Sequence, residues 1–131
     1  MILLDTCALL RLTEIPNRLR ESTTAYIASH CDGLLVHAIS AFEVALLARR
    51  GRVTLPPAHP DPADWFRTAC TLHGLTEIPL DGATAAAAVA LPPIHQDPCD
   101  RFIVAAALHH RVPILTSDQV IPRYPGVTVL W

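Results

Sequence analysis

The sequence predicts an α/β fold of three layers, with helices on both faces of a mainly parallel sheet of about four to five strands. Three observations predict it. Short runs of strand length alternate along the chain with longer segments of helical spacing. The first of these runs, Ile2-Leu3-Leu4, is apolar throughout, as a parallel strand covered on both faces should be. No repeat, low-complexity tail or second composition interrupts the pattern, so residues 1–131 read as a single domain.

The elements follow in order. Ile2 to Leu4 form a strand ending at Asp5, and a helix starts near Thr6 or Cys7 with Ala8, Leu9, Leu10 and Leu12 on it. Pro16 and Asn17 break that helix. A second helix is expected from Arg18 to His30, closed by Asp32-Gly33. Leu34 to Val36 is the next strand. Ser40-Ala41-Phe42-Glu43 then reads as a capping box, in which the glutamate reaches back to the cap amide. Its helix runs to Arg49-Arg50 and stops at Gly51.

Pro56 to Pro62 is a proline-rich loop. Asp61 or Asp64 starts a helix over residues 63–73 that carries Trp65, Phe66, Ala69 and Leu72 at helical spacing. Leu75 to Leu80 is the third strand, ended by Asp81-Gly82. Ala83 to Leu91 lacks large side chains and should pack closely on a neighbour before Pro92-Pro93 stops it. The stretch Asp97 to Asp118 holds a capped helix to His110 and a strand from Val112 to Thr116. Val127 to Leu130 is the last strand.

Composition narrows the chemistry. All ten basic residues are arginine, and the absence of lysine excludes a Walker-A lysine, a Schiff-base lysine and the phosphate-sensing lysine of a receiver domain. A formal net charge of −2 argues against bulk nucleic-acid coating, so any nucleic-acid contact must be local. No apolar run reaches the roughly 18 residues of a membrane span, and Met-Ile-Leu-Leu-Asp lacks the basic start of a signal peptide. A cytoplasmic protein with no membrane association is expected. Cys7, Cys31, Cys70 and Cys99 form no CxxC pair and fit reduced thiols.

The acids at strand ends and helix starts carry the functional expectation. Each has a structural explanation by itself. Asp5 can cap the following helix, Glu43 can complete the capping box, and Asp118 can serve a turn. Asp97, followed by Pro98, makes a well-formed helix start, and Asp100 one turn later is stabilised by the helix dipole. Asp5, Glu43, Asp100 and Asp118 together form one expected pocket, because strand ends and adjacent helix N-termini share a crevice in a parallel sheet.

Clustered carboxylates resist ionisation unless a cation joins them. Oxygen ligation favours magnesium, with manganese as a substitute, and the histidines show no HExxH spacing for zinc. Adjacent His109 and His110 suit the C-terminus of their helix. Without a lysine or a phosphate-binding glycine loop, the expected chemistry is metal-assisted phosphodiester hydrolysis, with one ion activating water and a second stabilising the leaving oxygen. Thr6, Ser40 and Thr116 are candidates to hydrogen-bond the acids or metal waters. Arg101 can contact phosphate, hold a neighbouring acid or make a surface ion pair.

The segments MILLDTCALL, Ser40-Ala41-Phe42-Glu43-Val44, His95-Gln96-Asp97-Pro98-Cys99-Asp100-Arg101-Phe102-Ile103-Val104-Ala105 and Leu115-Thr116-Ser117-Asp118 stand in an order that resembles the PIN-domain ribonucleases. Within that family the resemblance is to VapC-type toxins of bacterial toxin–antitoxin pairs, and it spans nearly the whole chain. It implies an α/β/α sandwich and a magnesium- or manganese-dependent endoribonuclease. A homodimer neutralised by a cognate antitoxin, whose tail occupies its groove, is implied as well. The family's acidic quartet falls on Asp5, Glu43, Asp100 and Asp118, with Asp97 opening the helix and Thr116 as the polar neighbour. Arg49, Arg50 and Arg52, or Arg18 and Arg20, are candidate phosphate contacts, with helix-end charge complementarity as the alternative.

Two other readings compete. One is a phosphohydrolase or receiver-like domain with Asp5 as nucleophile, which lacks the lysine and has Thr6-Cys7 where a second acid belongs. The other is a catalytically silent PIN module that binds RNA or protein, against which the presence of all four acids speaks.

Overall fold

A computed structural model of the chain describes residues 1–15, 17–30 and 32–131. Among these, β1 (Ile2–Leu4), β2 (Leu34–His37), β3 (Leu75–Ile78), β4 (Ile114–Leu115) and β5 (Val129–Leu130) form one sheet. Its order is β3-β2-β1-β4-β5, and every neighbouring pair is parallel. Leu3 lies opposite Leu35 and Ile114, and Leu4 opposite Val36 and Leu115. The helices are α1 (Thr6–Leu12), α2 (Glu21–His30), α3 (Ala38–Arg49), α4 (Pro62–His73), α5 (Gly82–Ala90) and α6 (Pro98–His110).

Successive side chains of a strand point to opposite faces, and here both faces are apolar. Leu3, Leu35 and Ile114 belong to one core with Ile103, Val104, Ala106 and Ala107 of α6 and with Tyr124. On the other face Ile2, Leu4 and Leu115 pack with Ala8 and Leu19. Val36 joins Leu9, Leu10, Val44, Trp65 and Phe66, drawn from α1, α3 and α4. The expected three layers are present, with β1 at the centre of the sheet.

Aspartates start four of the helices. Asp5, Asp61, Asp81 and Asp97 each accept a hydrogen bond from a backbone N–H of the first turn, and Pro62 and Pro98 begin α4 and α6. Gly74 closes α4 at φ 62°, a left-handed cap that glycine adopts without a Cβ penalty.

Several expectations need correction. Ser40 does not cap α3, because β2 runs directly into that helix and His37 at the junction takes the cap, its Nδ1 accepting from Ile39 N–H at 3.0 Å. The Ser40–Glu43 capping box therefore does not form. The second helix starts at Glu21 rather than Arg18, and Leu19 before it is drawn into the core. Leu72 shares the helical spacing of Trp65 and Phe66 yet is 75% exposed, because α4 buries only a narrow stripe. The strands β3, β4 and β5 are shorter than their apolar runs, since pairing and not hydropathy limits a strand. A short 3₁₀ turn at Ile121–Arg123 has no counterpart among the expected elements.

The alanine-rich helix does lie against α6, burying Thr84 and Ala88. Cys7, Cys70 and Cys99 are free thiols, as expected, while Cys31 and the Pro16 break lie outside the described residues. No helix among the described residues is long and apolar enough to cross a membrane.

The strand order places the site. From β1 the chain moves outward to β2 and β3, then returns to β4 on the other side of β1. The direction of winding reverses between β1 and β4, and such a reversal opens a crevice beyond the carboxyl ends of those strands.

Candidate active site

Four carboxylates reach that crevice from four elements. Asp5 follows β1, Glu43 stands in the second turn of α3, Asp100 in the first turn of α6, and Asp118 just beyond β4. They line one open depression of about 280 Å³, with Thr6, Cys7 and Ser117 between them. Asp5, Glu43, Asp100 and Asp118 are thus brought together, while Asp97 stands at the helix start outside this depression.

Asp5 does two jobs at once. Its Oδ1 accepts from Ala8 N–H at 2.7 Å, which caps α1, and its Oδ2 accepts the hydroxyl proton of Thr116. The helix-cap explanation and the site explanation therefore apply to opposite oxygens of one carboxylate. Only 4% of Asp5 is exposed. Thr116 also accepts from Asp118 N–H at 2.9 Å, so one hydroxyl links the residues ending β1 and β4.

Glu43 is held differently from the sequence expectation. With no capping box to complete, its Oε1 accepts the hydroxyl proton of Thr6. Ser40 Oγ lies 3.0 Å from the same Thr6 oxygen. A carboxylate only accepts, so the single Thr6 proton goes to Glu43 and the Ser40 hydroxyl completes the chain as donor. Asp97 behaves as expected, its Oδ1 accepting from Cys99 N–H at 2.9 Å.

His95 lies within a segment that resembles the family, yet sequence reasoning does not assign it to the site. Its Nε2 lies 2.9 Å from Asp118 Oδ2 and 3.1 Å from Asp100 Oδ2, and the three side chains offer ligand atoms within 4.8 Å of one another. Its place two residues before Asp97 is a local signal that spacing rules for zinc overlook. Arg101, in turn, pairs with no acid among the described residues. Its guanidinium donates to the carbonyls of Ala88 (2.8 Å), Leu91 (2.9 Å), Pro92 (3.0 Å) and His95 (3.2 Å), tying the end of α5 and the following loop to α6. Five N–H donors in a fixed fork suit a cluster of unpaired helix-end carbonyls.

The electrostatics record an excess of negative charge. Burial pushes the Asp5 carboxyl up to about 6, with Glu43 and Asp118 adding to the effect against the hydrogen bonds of Thr116 and Ala8. Burial likewise raises Asp100 to about 7; the charges of Asp97, Glu43 and Asp118 add to the rise, and His95 opposes it. Glu43 is raised by burial and by Asp97 in spite of the Thr6 bond. Asp118 differs: burial pushes it up, but the His95 hydrogen bond and the N–H groups of Val120 and Ile121 outweigh that and hold it below the usual carboxylate range. Cys99 beside them is pushed up to about 12 by burial and the same acids, which removes it as a thiolate nucleophile.

These residues fit a divalent cation. Among the described residues no arginine pairs with any of the four acids, so His95 is their only basic partner. Carboxylates raised by burial and mutual repulsion are the groups whose ionised form a bound cation stabilises most. Oxygen donors of this kind suit magnesium or manganese.

A second concavity of about 620 Å³ lies between α3 and α6, with Glu43, Asp97 and Cys99 at the site end, the rings of Phe42 and Phe102 on its walls, and Arg50 and Arg52 lining it as well. Of the arginines considered from the sequence, Arg18 pairs with Glu14 at 3.5 Å on the surface, whereas Arg50 and Arg52 face this groove.

The chain has known relatives in fold. A toxin–antitoxin complex from Klebsiella pneumoniae contains a chain that superposes with a TM-score of 0.67 at 21% identity, covering 100% of this chain and 97% of that one. FitAcB from Neisseria gonorrhoeae gives a TM-score of 0.64 at 20% identity, with coverages of 100% and 97%. VapBC2 from Rickettsia felis, bound to a DNA fragment from its promoter, gives 0.72 at 12% identity, with coverages of 100% and 99%. Identities this low show a shared fold. No protein of curated function matches the sequence significantly. The PIN domain family profile, however, matches residues 2–127, nearly the full length. By that match, and with the parallel sheet and the crevice between β1 and β4 that it implies, the chain belongs to the PIN domain family.

Proposed function

We propose that this chain is a metal-dependent endoribonuclease, the toxin of a toxin–antitoxin pair, acting in the cytoplasm as one PIN domain over residues 1–131. The observation that carries the reading is the convergence of Asp5, Glu43, Asp100 and Asp118 from four elements on one open depression. These four are the catalytic and metal-holding residues. Magnesium, or manganese in its place, supplies on binding a polarised phosphoryl oxygen and a water of lowered pKa.

The protein's own part is placement. Thr116 fixes Asp5 relative to the Asp118 backbone, and Thr6 with Ser40 fixes Glu43. Asp97 starts α6 so that Asp100, three residues on, faces the crevice. Arg101 secures the loop before that helix. The nucleophile reading of Asp5 loses support, because both of its oxygens are engaged and the residue is buried.

The toxin assignment rests on the shared fold with chains of toxin–antitoxin complexes. RNA flanking the scissile phosphate is assigned to the groove of Phe42, Phe102, Arg50 and Arg52, and the antitoxin's tail competes for it. The homodimer finds support in an apolar side chain left in water on α5, Val89 at 82% exposure. The test is cleavage of single-stranded RNA by the purified protein with manganese or with excess EDTA. Cleavage should require the metal and disappear in Asp5→Ala and Asp100→Ala. Equal cleavage in EDTA would overturn the mechanism.

A further inference from the structure

Hydrogen bonding settles which way the His95 ring works. Its Nδ1 accepts from the backbone N–H of Asp97 at 3.3 Å, so the proton of the neutral ring sits on Nε2. Nε2 faces Asp118 Oδ2 at 2.9 Å and Asp100 Oδ2 at 3.1 Å, and both oxygens are acceptors. One N–H therefore donates into the gap between two carboxylates, where a metal ion would otherwise draw them together.

The ring is not free to drift from that position. The backbone N–H of His95 donates to the hydroxyl of buried Tyr124 at 2.7 Å, and its carbonyl accepts from Arg101 Nη1 at 3.2 Å. Arg101 holds Leu91 and Pro92 of the same loop through their carbonyls at 2.9 and 3.0 Å. The loop is thus anchored to α6 and to the core at several points on either side of the ring.

We propose that His95 is a built-in stand-in for the cation: its Nε2–H holds Asp100 and Asp118 converged before metal arrives and competes with the metal for the same two oxygens. The proposal rests on the metal-site reading above. It differs from a nitrogen-ligand role, which needs a bare Nε2 and would turn Nδ1–H against the Asp97 N–H. Metal entry at this pair requires the two hydrogen bonds to break, so His95 lowers cation affinity while allowing the acids to pack together without a cation.

The test is a manganese titration of the metal-free protein, reading free Mn²⁺ by electron paramagnetic resonance, for wild type, His95→Ala and His95→Gln. His95→Ala should bind Mn²⁺ on the order of tenfold more tightly, about the worth of one charge-assisted hydrogen bond, and should melt at a lower temperature than wild type when metal-free. His95→Gln keeps an N–H donor near the same position and should stay close to wild type in both measurements. Weaker binding by His95→Ala, together with ¹⁴N modulation in the spin echo of Mn²⁺-loaded wild type, would make His95 a ligand and overturn the proposal. Unchanged affinity would overturn it too. Should His95→Ala fail to fold, Tyr124→Phe loosens the His95 backbone without touching the acids. It should shift affinity in the same direction, and no shift would count against the proposal. If neither wild type nor His95→Ala binds Mn²⁺, the metal-site reading itself fails, an outcome distinct from metal binding that ignores His95.

Discussion

The hydroxyl of Thr116 donates to Oδ2 of Asp5, a residue 111 positions earlier in the chain. The Thr116 hydroxyl oxygen in turn accepts from Asp118 N–H, so a single buried threonine sets the spacing between the acid that ends β1 and the loop that follows β4. Parallel pairing of Leu4 with Leu115 brings the two strand ends together, and Thr116 ties them.

Thr116→Val keeps the shape and removes both bonds. Manganese affinity should fall roughly 10- to 100-fold, as when outer partners of metal ligands are removed. Stability should fall by about 1–3 kcal/mol, because the Asp118 N–H loses its acceptor. Metal titration and thermal melting check the two effects, and an unchanged affinity would remove Thr116 from the site's support.

Asp100→Asn should reveal the cost of burying that carboxylate among other acids. Its carboxyl titrates near 7 in the fold against an ordinary value of 3.8, so between those values the native state binds more protons than the unfolded state. Wild-type stability then falls as pH rises across this window, by the linkage of proton binding to folding. The asparagine variant lacks that loss. Measured in EDTA, the melting temperature of Asp100→Asn minus that of wild type should grow from pH 4 to pH 7 and level off above. A difference that is flat with pH would mean that neither burial nor its neighbours raise the Asp100 carboxyl.

Asp97→Ala should separate starting the helix from holding the metal. Loss of the cap costs about 1 kcal/mol. Metal binding should survive it, whereas Asp100→Ala should abolish metal-dependent cleavage while the fold persists. Far-UV circular dichroism, melting and RNA cleavage on the same preparations distinguish the two. Equal loss of metal binding in both variants would undo this division.

Replacing Arg50 and Arg52 by glutamine should weaken single-stranded RNA binding and flatten its salt dependence. The slope of log affinity against log salt should change by about 0.7 for each phosphate that is no longer neutralised. Binding by catalytically inactive Asp100→Asn with and without the arginine changes measures this directly. Equal slopes would assign those arginines to the helix end alone.

Much of the architecture is legible in the sequence because it is written locally. The apolar runs at residues 2–4 and 34–36 and the Asp-Pro start of α6 are short-range signals with short-range causes. The start of α3 departs from its local pattern for an instructive reason. Ser40 and Glu43 have the right spacing for a capping box, but a cap forms where the backbone leaves its extended conformation, and β2 delays that point only as far as His37. Glu43 is thereby freed for the site. The roles of Arg101 and His95 are not legible in the sequence, because neither makes sense without the carbonyls at the end of α5 and the acids across the crevice.

By itself the sequence determined the kind of fold, the order of its elements and the family it resembles, and it singled out the acids at strand ends and helix starts. Those properties depend on hydropathy period, caps and composition, all readable within a few residues. Only the tertiary structure decided that the acids meet, because the meeting depends on β4 pairing with β1 and on the reversal of winding between them. It also decided what holds them. The bonds from Thr116 to Asp5, from Thr6 to Glu43 and from His95 to Asp118 join residues 111, 37 and 23 positions apart, and contacts at those separations are set by packing and not by local pattern.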